Sequence, residues 1–480
     1  MKSLMKKWLK RLVTMAAGVA IALIGAYGYQ IKQLPDTRPW HSTFLDESHL
    51  ASHISNFDDY LSHENRLFEQ LGDGITKLNN QETWNRFSPT SPANPLNYPY
   101  NLNRTHIWPV HNPIGGALLT HGLSDSPYSL NALAYQLASS GYYVINLRIP
   151  GHGTAPGNLS TTTLEDFRLS YRLAMEHLHS IIGDEKPILA AGYSNGAALA
   201  VDYNLSAISR QSRVADGLFL MSPAFQVSGA ARFAGYFKHL AALPGLEKVA
   251  WSSIQPEYDP YKYNSFPIAA GEQIYRLTED ITAKFQALKT NQQIKQFPRT
   301  LVIQSVVDAT IPPKSVVDRF LTHLPRDKAE LVLFDVNRLQ QLEVFIAQKH
   351  RPFLQSIKQQ ASLPFDFTLI SNRTPNDRQV EARHRKHNSN DWSATPLPYR
   401  WPEDVYSLSH VAVPFAANDP IYGEVDAQST SSTDLPLLGQ LSARGERGTF
   451  VVSMDQLQRL RYNPFYGYIE MRLDQFLTQL

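Results

Sequence analysis

A serine hydroxyl attacks at neutral pH only when a base takes its proton, and a histidine serves as that base when an acid fixes its tautomer. Ser194 has the setting for the nucleophile. It is the centre of Gly192-Tyr193-Ser194-Asn195-Gly196, preceded by a short apolar run of strand type at 186–191 and followed by residues of helical composition at 197–203. A serine on a tight strand-to-helix turn is held in a strained backbone conformation that pushes its hydroxyl into the open. The flanking positions are glycine because a Cβ there would collide with the turn or the neighbouring strand. The spacing predicts a nucleophile elbow; the bland alternative is a Gly-rich turn.

The elbow resembles that of the α/β-hydrolases, and this resemblance implies that the acid and then the base follow it in the chain, each beyond the carboxyl end of a sheet strand. Asp308 closes the apolar run Leu301-Val302-Ile303-Gln304-Ser305-Val306-Val307 and is followed by the turn Ala309-Thr310-Ile311-Pro312-Pro313. Asp335, at the end of Leu331-Val332-Leu333-Phe334, is its rival, and a capping or turn aspartate is the structural alternative. His410 lies near the C-terminal end, as the order requires. The other histidines after Asp308 fit less well: His323 falls in a helix, His350 in a Gln/Lys-rich segment, and His384 and His387 in a basic stretch. An oxyanion needs backbone N–H donors. The expected donors are the amides of Asn195, which follows the nucleophile, and Leu123, in the loop after the first main strand. His121 is expected to hold that loop rather than act as a base.

Short apolar strands alternate with helices from about residue 114 onward. Strands are expected at 114–120, 142–147, 217–221 and 299–304, and helices at 128–139 and 164–182. This is the pattern of an α/β fold with a mostly parallel central sheet flanked by helices. Two segments interrupt it. One is 225–297, rich in Ala, Phe, Tyr and Lys. The other is 339–402, which holds a single strand-like run at 365–370 and then a basic stretch (Arg378, Arg383, His384, Arg385, Lys386, His387) read as a solvated loop. Before the sheet, residues 33–105 form an extension. Leu50, Ile54, Phe57, Leu61, Phe68 and Leu71 recur there at near-helical spacing, and prolines from 92 to 99 mark a linker.

Lys2, Lys6, Lys7, Lys10 and Arg11 precede an uncharged stretch at 12–31. As one helix it would rise about 30 Å, the thickness of a bilayer core. Residues 1–32 are therefore expected to anchor the chain by a single transmembrane helix, with residues 33–480 periplasmic or otherwise extracytoplasmic. The alternative is a signal peptide cleaved near Ala26-Tyr27-Gly28, giving a secreted protein. The net charge of +2 gives no argument for a nucleic-acid partner, and with no cysteine there are neither disulfides nor thiol chemistry. No phosphate-cradling glycine loop and no HExxH zinc helix is present.

Together these residues resemble the α/β-hydrolase superfamily, and within it the bacterial monoacylglycerol lipases, carboxylesterases and serine aminopeptidase-like hydrolases. The segment 117–127, Ala-Leu-Leu-Thr-His-Gly-Leu-Ser-Asp-Ser-Pro, is similar to their oxyanion loop. Arg148-Ile149-Pro150-Gly151-His152-Gly153-Thr154-Ala155-Pro156 is similar to the stretch after their next strand. The elbow and the Asp308 turn match in the same way. The resemblance spans roughly 112–338 and 403–425, and the rest of 106–480 departs from the compact members. It implies ester hydrolysis through an acyl-serine, with no metal or cofactor, and a cap at 225–297 over the acyl pocket. Amidase, aminopeptidase and thioesterase activity remain open, as does a non-catalytic scaffold that binds lipid or a partner protein.

Overall fold

The apolar strands expected from the sequence assemble into one sheet in a computed structural model that describes residues 2–42, 45, 47–226, 237, 240–347, 351–424, 438–439 and 453–480. In chain order the strands are β1 (His106–Trp108), β2 (Gly115–Thr120), β3 (Tyr142–Leu147), β4 (Ile188–Tyr193), β5 (Gly217–Met221), β6 (Trp251–Ser253), β7 (Phe266–Pro267), β8 (Arg299–Ser305), β9 (Ala329–Phe334), β10 (Asp366–Asn372), β11 (Gln379–Arg385) and β12 (Ser393–Arg400). Ten of them form a sheet in the order β1-β3-β2-β4-β5-β8-β9-β10-β11-β12, and β6 and β7 make a separate hairpin. Pairing is parallel from β3 through β10 and antiparallel at both margins. This is the mostly parallel α/β sheet expected from the sequence.

The central strands are buried on both faces, so their side chains alternate between two cores. Along β2, Leu118 enters one and Ala117 and Leu119 the other; along β4, Ile188 and Ala190 face Leu189, Ala191 and Tyr193 in the same way. The first face is covered by α2 (Phe57–Leu78), α4 (Leu164–Ile182), α5 (Asn195–Ser209) and α6 (Ile268–Thr290). The second is covered by α3 (Asn131–Ser139), α7 (Tyr466–Leu477) and the chain around 401–413. The N-terminal ends of two of these helices follow from local chemistry. Asn56 caps α2 through Asp59 N–H at 2.9 Å, and Thr163 and Asp166 form a capping box at the start of α4.

The chain moves from β2 out to β3 on one side and from β4 out to β5 on the other. The connections therefore part at the carboxyl ends of β2 and β4, where open α/β sheets form a crevice. Both the elbow and the Leu123 loop leave the sheet at that point.

The extension before the sheet is tied to it by buried charge. Arg148, just after β3, sets Nη1 at 2.7 Å from Glu47 Oε2 and Nε at 2.9 Å from Glu64 Oε2, with all three side chains out of solvent. Glu47 also accepts from Gly151 N–H, Thr154 Oγ1 and Asn158 Nδ2, and Glu64 accepts from Thr105. Burial alone would raise the Glu47 carboxyl, but Arg148 and these donors outweigh it and hold the group below its ordinary range. Leu50, Ile54, Phe57 and Tyr60 join the main core, although Leu50 and Ile54 precede the helix rather than lying on it.

One expectation is corrected. The basic stretch read as a solvated loop is strand β11, paired with β10 and β12. Its Val380 and Ala382 are buried, and Arg385 packs over the Trp392 ring at 5.3 Å. Segment 339–402 thus supplies the three strands that widen the sheet beyond β9. The N-terminal stretch is helical as α1 (Lys2–Gln33), but among the described residues no helix is long and apolar enough to cross a membrane. The expected span at 12–31 has no support from the structure on this point; several of its side chains, including Ile21 and Leu23, lie outside the described residues. Segment 225–297 contains the β6–β7 hairpin and α6, which packs along α5; residues 227–236 and 238–239 lie outside the described residues.

Candidate active site

Ser194 follows β4 and caps α5 with φ 53° and ψ −111°, a conformation that L-residues avoid. The turn is possible because the residues two positions away on either side are glycines. A Cβ on Gly196 would lie 2.0 Å from Thr120 O, and one on Gly192 would lie 2.5 Å from Ala197 N. The backbone of the serine is fixed from both sides: its N–H donates to Met221 O at 2.9 Å and its C=O accepts from Ala224 N–H at 3.1 Å.

Asp308 follows β8, and its two carboxylate oxygens do different work. Oδ1 accepts from the Thr310 and Ile311 amides at 2.9 and 2.8 Å, which locks the turn. Oδ2 lies 2.7 Å from His410 Nδ1 and accepts from Gln304 Nε2 at 3.0 Å. With its Nδ1 side bound to the carboxylate, the His410 ring leaves Nε2 as the nitrogen that can exchange a proton with a substrate. The chain carrying His410 is strapped to the sheet by Ser305 Oγ, which donates to Leu408 O at 2.7 Å, and by Tyr193 OH, which donates to His410 O at 3.3 Å.

Asp335, the rival acid, is committed elsewhere. It accepts from Arg338 at 2.7 Å, from Ser371 Oγ at 3.0 Å and from Val336 N–H at 2.8 Å. His121 has both ring nitrogens engaged. Its Nε2 accepts from Ile149 N–H at 3.0 Å, so Nδ1 carries the proton and donates to Gly122 O at 2.9 Å. Burial, with His152 beside it, pushes its pKa well below the usual histidine range. His121 therefore holds its loop as a neutral ring, as expected.

Ser194, Asn195, Leu123 and His410 all line one cavity of about 340 Å³. Asn195 is the first residue of α5, where an amide has no partner within its helix, and Leu123 leads into Ser124 at φ 65°. Apolar side chains dominate the rest of the wall: Ala224, Phe266, Ile274, Ile311 and Val411. The structure thus gathers the residues singled out from sequence at one place, with Asp308 directly behind His410.

Sequence reasoning missed Gln304, Ser305 and the Tyr193 hydroxyl as supports, and Asp125, Lys262 and Arg459 as further lining. A signal existed for Gln304 alone. It is an amide in the mainly apolar run at 301–307, four residues before a candidate acid.

Residues 111–337 match a family described as serine aminopeptidase, S33. A thermostable monoacylglycerol lipase from Bacillus sp. (strain H-257) is 34% identical over 70 residues, which is 15% of this chain and 28% of that protein. The match therefore spans well under two thirds of the curated relative. Among solved structures, a monoacylglycerol lipase from Paleococcus ferrophilus is 20% identical with a TM-score of 0.36, covering 48% of this chain and 88% of the other. A soluble variant of monoglyceride lipase from Saccharomyces cerevisiae is 16% identical with a TM-score of 0.36, covering 50% and 89%. Over residues 111–337 the chain thus resembles the serine aminopeptidase family, and in part of that stretch a monoacylglycerol lipase.

Proposed function

We propose that the protein is a serine hydrolase that cleaves carboxylic acyl esters. In this mechanism Ser194 Oγ attacks the ester carbonyl carbon while His410 Nε2 takes its proton. The carbon–oxygen bond to the alcohol then breaks, and His410 returns the proton to the departing alkoxide. Water deacylates the serine by the same steps in reverse roles, releasing the acid. Asp308 holds the ring and stabilises the imidazolium, and the Leu123 and Asn195 amides donate to the oxyanion.

The observation that carries this reading is the His410–Asp308 contact of 2.7 Å behind an apolar cavity that also holds the strained Ser194. The apolar wall favours an acyl chain over a polar peptide. An aminopeptidase would need a free carboxylate in the cavity to bind a substrate ammonium. Among the described residues the carboxylate that lines it, Asp125, is already paired with Lys262 at 2.6 Å, which disfavours that alternative.

Membrane attachment through 12–31, with the catalytic part extracytoplasmic, belongs to the same proposal. It is supported by the uncharged composition of that stretch and by the exposure of Leu12, Met15 and Tyr29 on α1.

The test is hydrolysis of a short-to-long acyl ester series by the wild type and Ser194→Ala, assayed in washed membranes and in the soluble fraction. Turnover is expected only with the serine present, with the activity sedimenting with membranes. Equal turnover by Ser194→Ala contradicts the mechanism, and activity confined to the soluble fraction contradicts the anchor.

A further inference from the structure

Beside the acyl cavity lies a smaller one of about 110 Å³, and Asp125, Lys262, Val411 and Arg459 line both. The two differ in chemistry. The first is walled mainly by apolar side chains, whereas the second adds Arg461 and the Tyr258 hydroxyl to the shared cations.

Among the described residues the charges at this junction do not all pair. Lys262 Nζ is 2.6 Å from Asp125 Oδ1, and Arg461 Nη1 is 2.9 Å from Asp259 Oδ2 while its Nη2 donates to Tyr258 OH at 2.8 Å. Arg459 has no such partner: among the described residues its hydrogen bond goes to the neutral Thr310 Oγ1, at 3.3 Å, and no carboxylate pairs with it. Among the described residues, then, Lys262 and Arg461 are each paired with a carboxylate and Arg459 is not, and the unpaired cation sits where the two cavities meet. An ester whose acyl chain fills the apolar cavity and whose carbonyl reaches Ser194 has its alcohol part left for the polar one. A guanidinium there offers a fork of N–H donors suited to phosphate or carboxylate oxygens.

Building on the acyl-ester reading, we infer that the smaller cavity binds the alcohol portion of the substrate and that this portion carries a negative charge, held by Arg459 with Lys262. The protein is then selective for acyl esters of anionic alcohols over their neutral counterparts.

The experiment compares kcat/KM for monooctanoylglycerol, octanoylglycerol phosphate and the octanoyl ester of glyceric acid, using wild type, Arg459→Gln and Arg459→Lys. The wild type is expected to prefer at least one anionic ester by about tenfold, mainly through KM, with the preference shrinking as salt rises. The phosphate and carboxylate arms identify the anion. Arg459→Gln should bring the anionic-to-neutral ratio close to one, and Arg459→Lys should keep part of it. This ratio is insensitive to a general loss of active protein. A neutral ester handled as well as both anionic ones, or a preference that survives in Arg459→Gln, overturns the inference.

Calorimetric binding of glycerol phosphate and of glycerate to Ser194→Ala separates this inference from the reading beneath it. If no ester is turned over, the esterase proposal fails. Saturable binding that Arg459→Gln weakens still supports the anion site, and the absence of binding overturns it.

Discussion

At the scale of single residues, Asp308 spends one oxygen on its own turn and the other on His410, while Asp335 spends both on Arg338 and Ser371. The two aspartates end neighbouring strands and are alike in sequence, but they predict opposite kinetics. On the proposed mechanism, Asp308→Asn preserves the shape yet removes the charge that stabilises the imidazolium and fixes its tautomer. It should lower kcat by about ten-thousandfold. Asp335→Asn should leave kcat/KM within about threefold, because its partners are structural. Steady-state kinetics on the two variants decides, and a large loss confined to Asp335→Asn would contradict the assignment. Ser194, Asp308 and His410 were legible in sequence because each carries a local signature: a Gly-flanked elbow, a strand-ending turn and a place in the chain order. Ser305 was not, because what marks it is a partner and not a neighbour. Ser305 meets Leu408 across 103 positions. That Arg459 pairs with no carboxylate among the described residues was invisible for the same reason, since pairing is a property of the folded chain.

At the scale of elements, the parallel core was readable because its strands are continuously apolar and are punctuated by helices. The margin was not. Strand β11 offers only Val380 and Ala382 to the core, and its charged remainder reads as loop until β10 and β12 supply its pairing. The extension posed a similar difficulty. Its apolar spacing announced a packing helix, but nothing in the spacing of Glu47 and Glu64 pointed to Arg148. The resulting cluster should be among the most sensitive sites in the chain. Arg148→Met leaves two carboxylates buried without their cation, which should lower stability by about 3–5 kcal/mol. Urea unfolding followed by tryptophan fluorescence measures it. Adding Glu47→Leu and Glu64→Leu to the same chain should recover much of the loss, because the uncompensated charges are then gone. A loss below about 1 kcal/mol for Arg148→Met would mean that the cluster does not hold the extension in place.

At the scale of the whole molecule, the fold buries neutral histidines, and this couples stability to pH. Burial, reinforced by the Arg148 charge, pushes His152 from the ordinary 6.5 down to about 4. Between those values the unfolded chain binds a proton at this position that the folded chain does not. Stability from this group is thus fully present above pH 6.5 and is lost as pH falls towards about 4. The slope is about 1.4 kcal/mol per pH unit. His152→Gln removes the group from both states. The stability gap between wild type and variant should therefore narrow at that slope as pH drops through the window, whatever its size at neutral pH. Denaturant titrations across the window measure the gap, and a gap that stays constant would contradict the burial of a neutral ring at this site.

The central claim is that Ser194, activated by His410 and Asp308, is the residue that becomes acylated. The most direct measurement is intact mass and peptide mapping after treatment with an activated phosphonate ester, which traps such a serine. The account predicts a single adduct on Ser194, absent from Ser194→Ala and strongly slowed in His410→Ala. A folded protein that takes no label, or that is labelled equally with Ser194 removed, would contradict it.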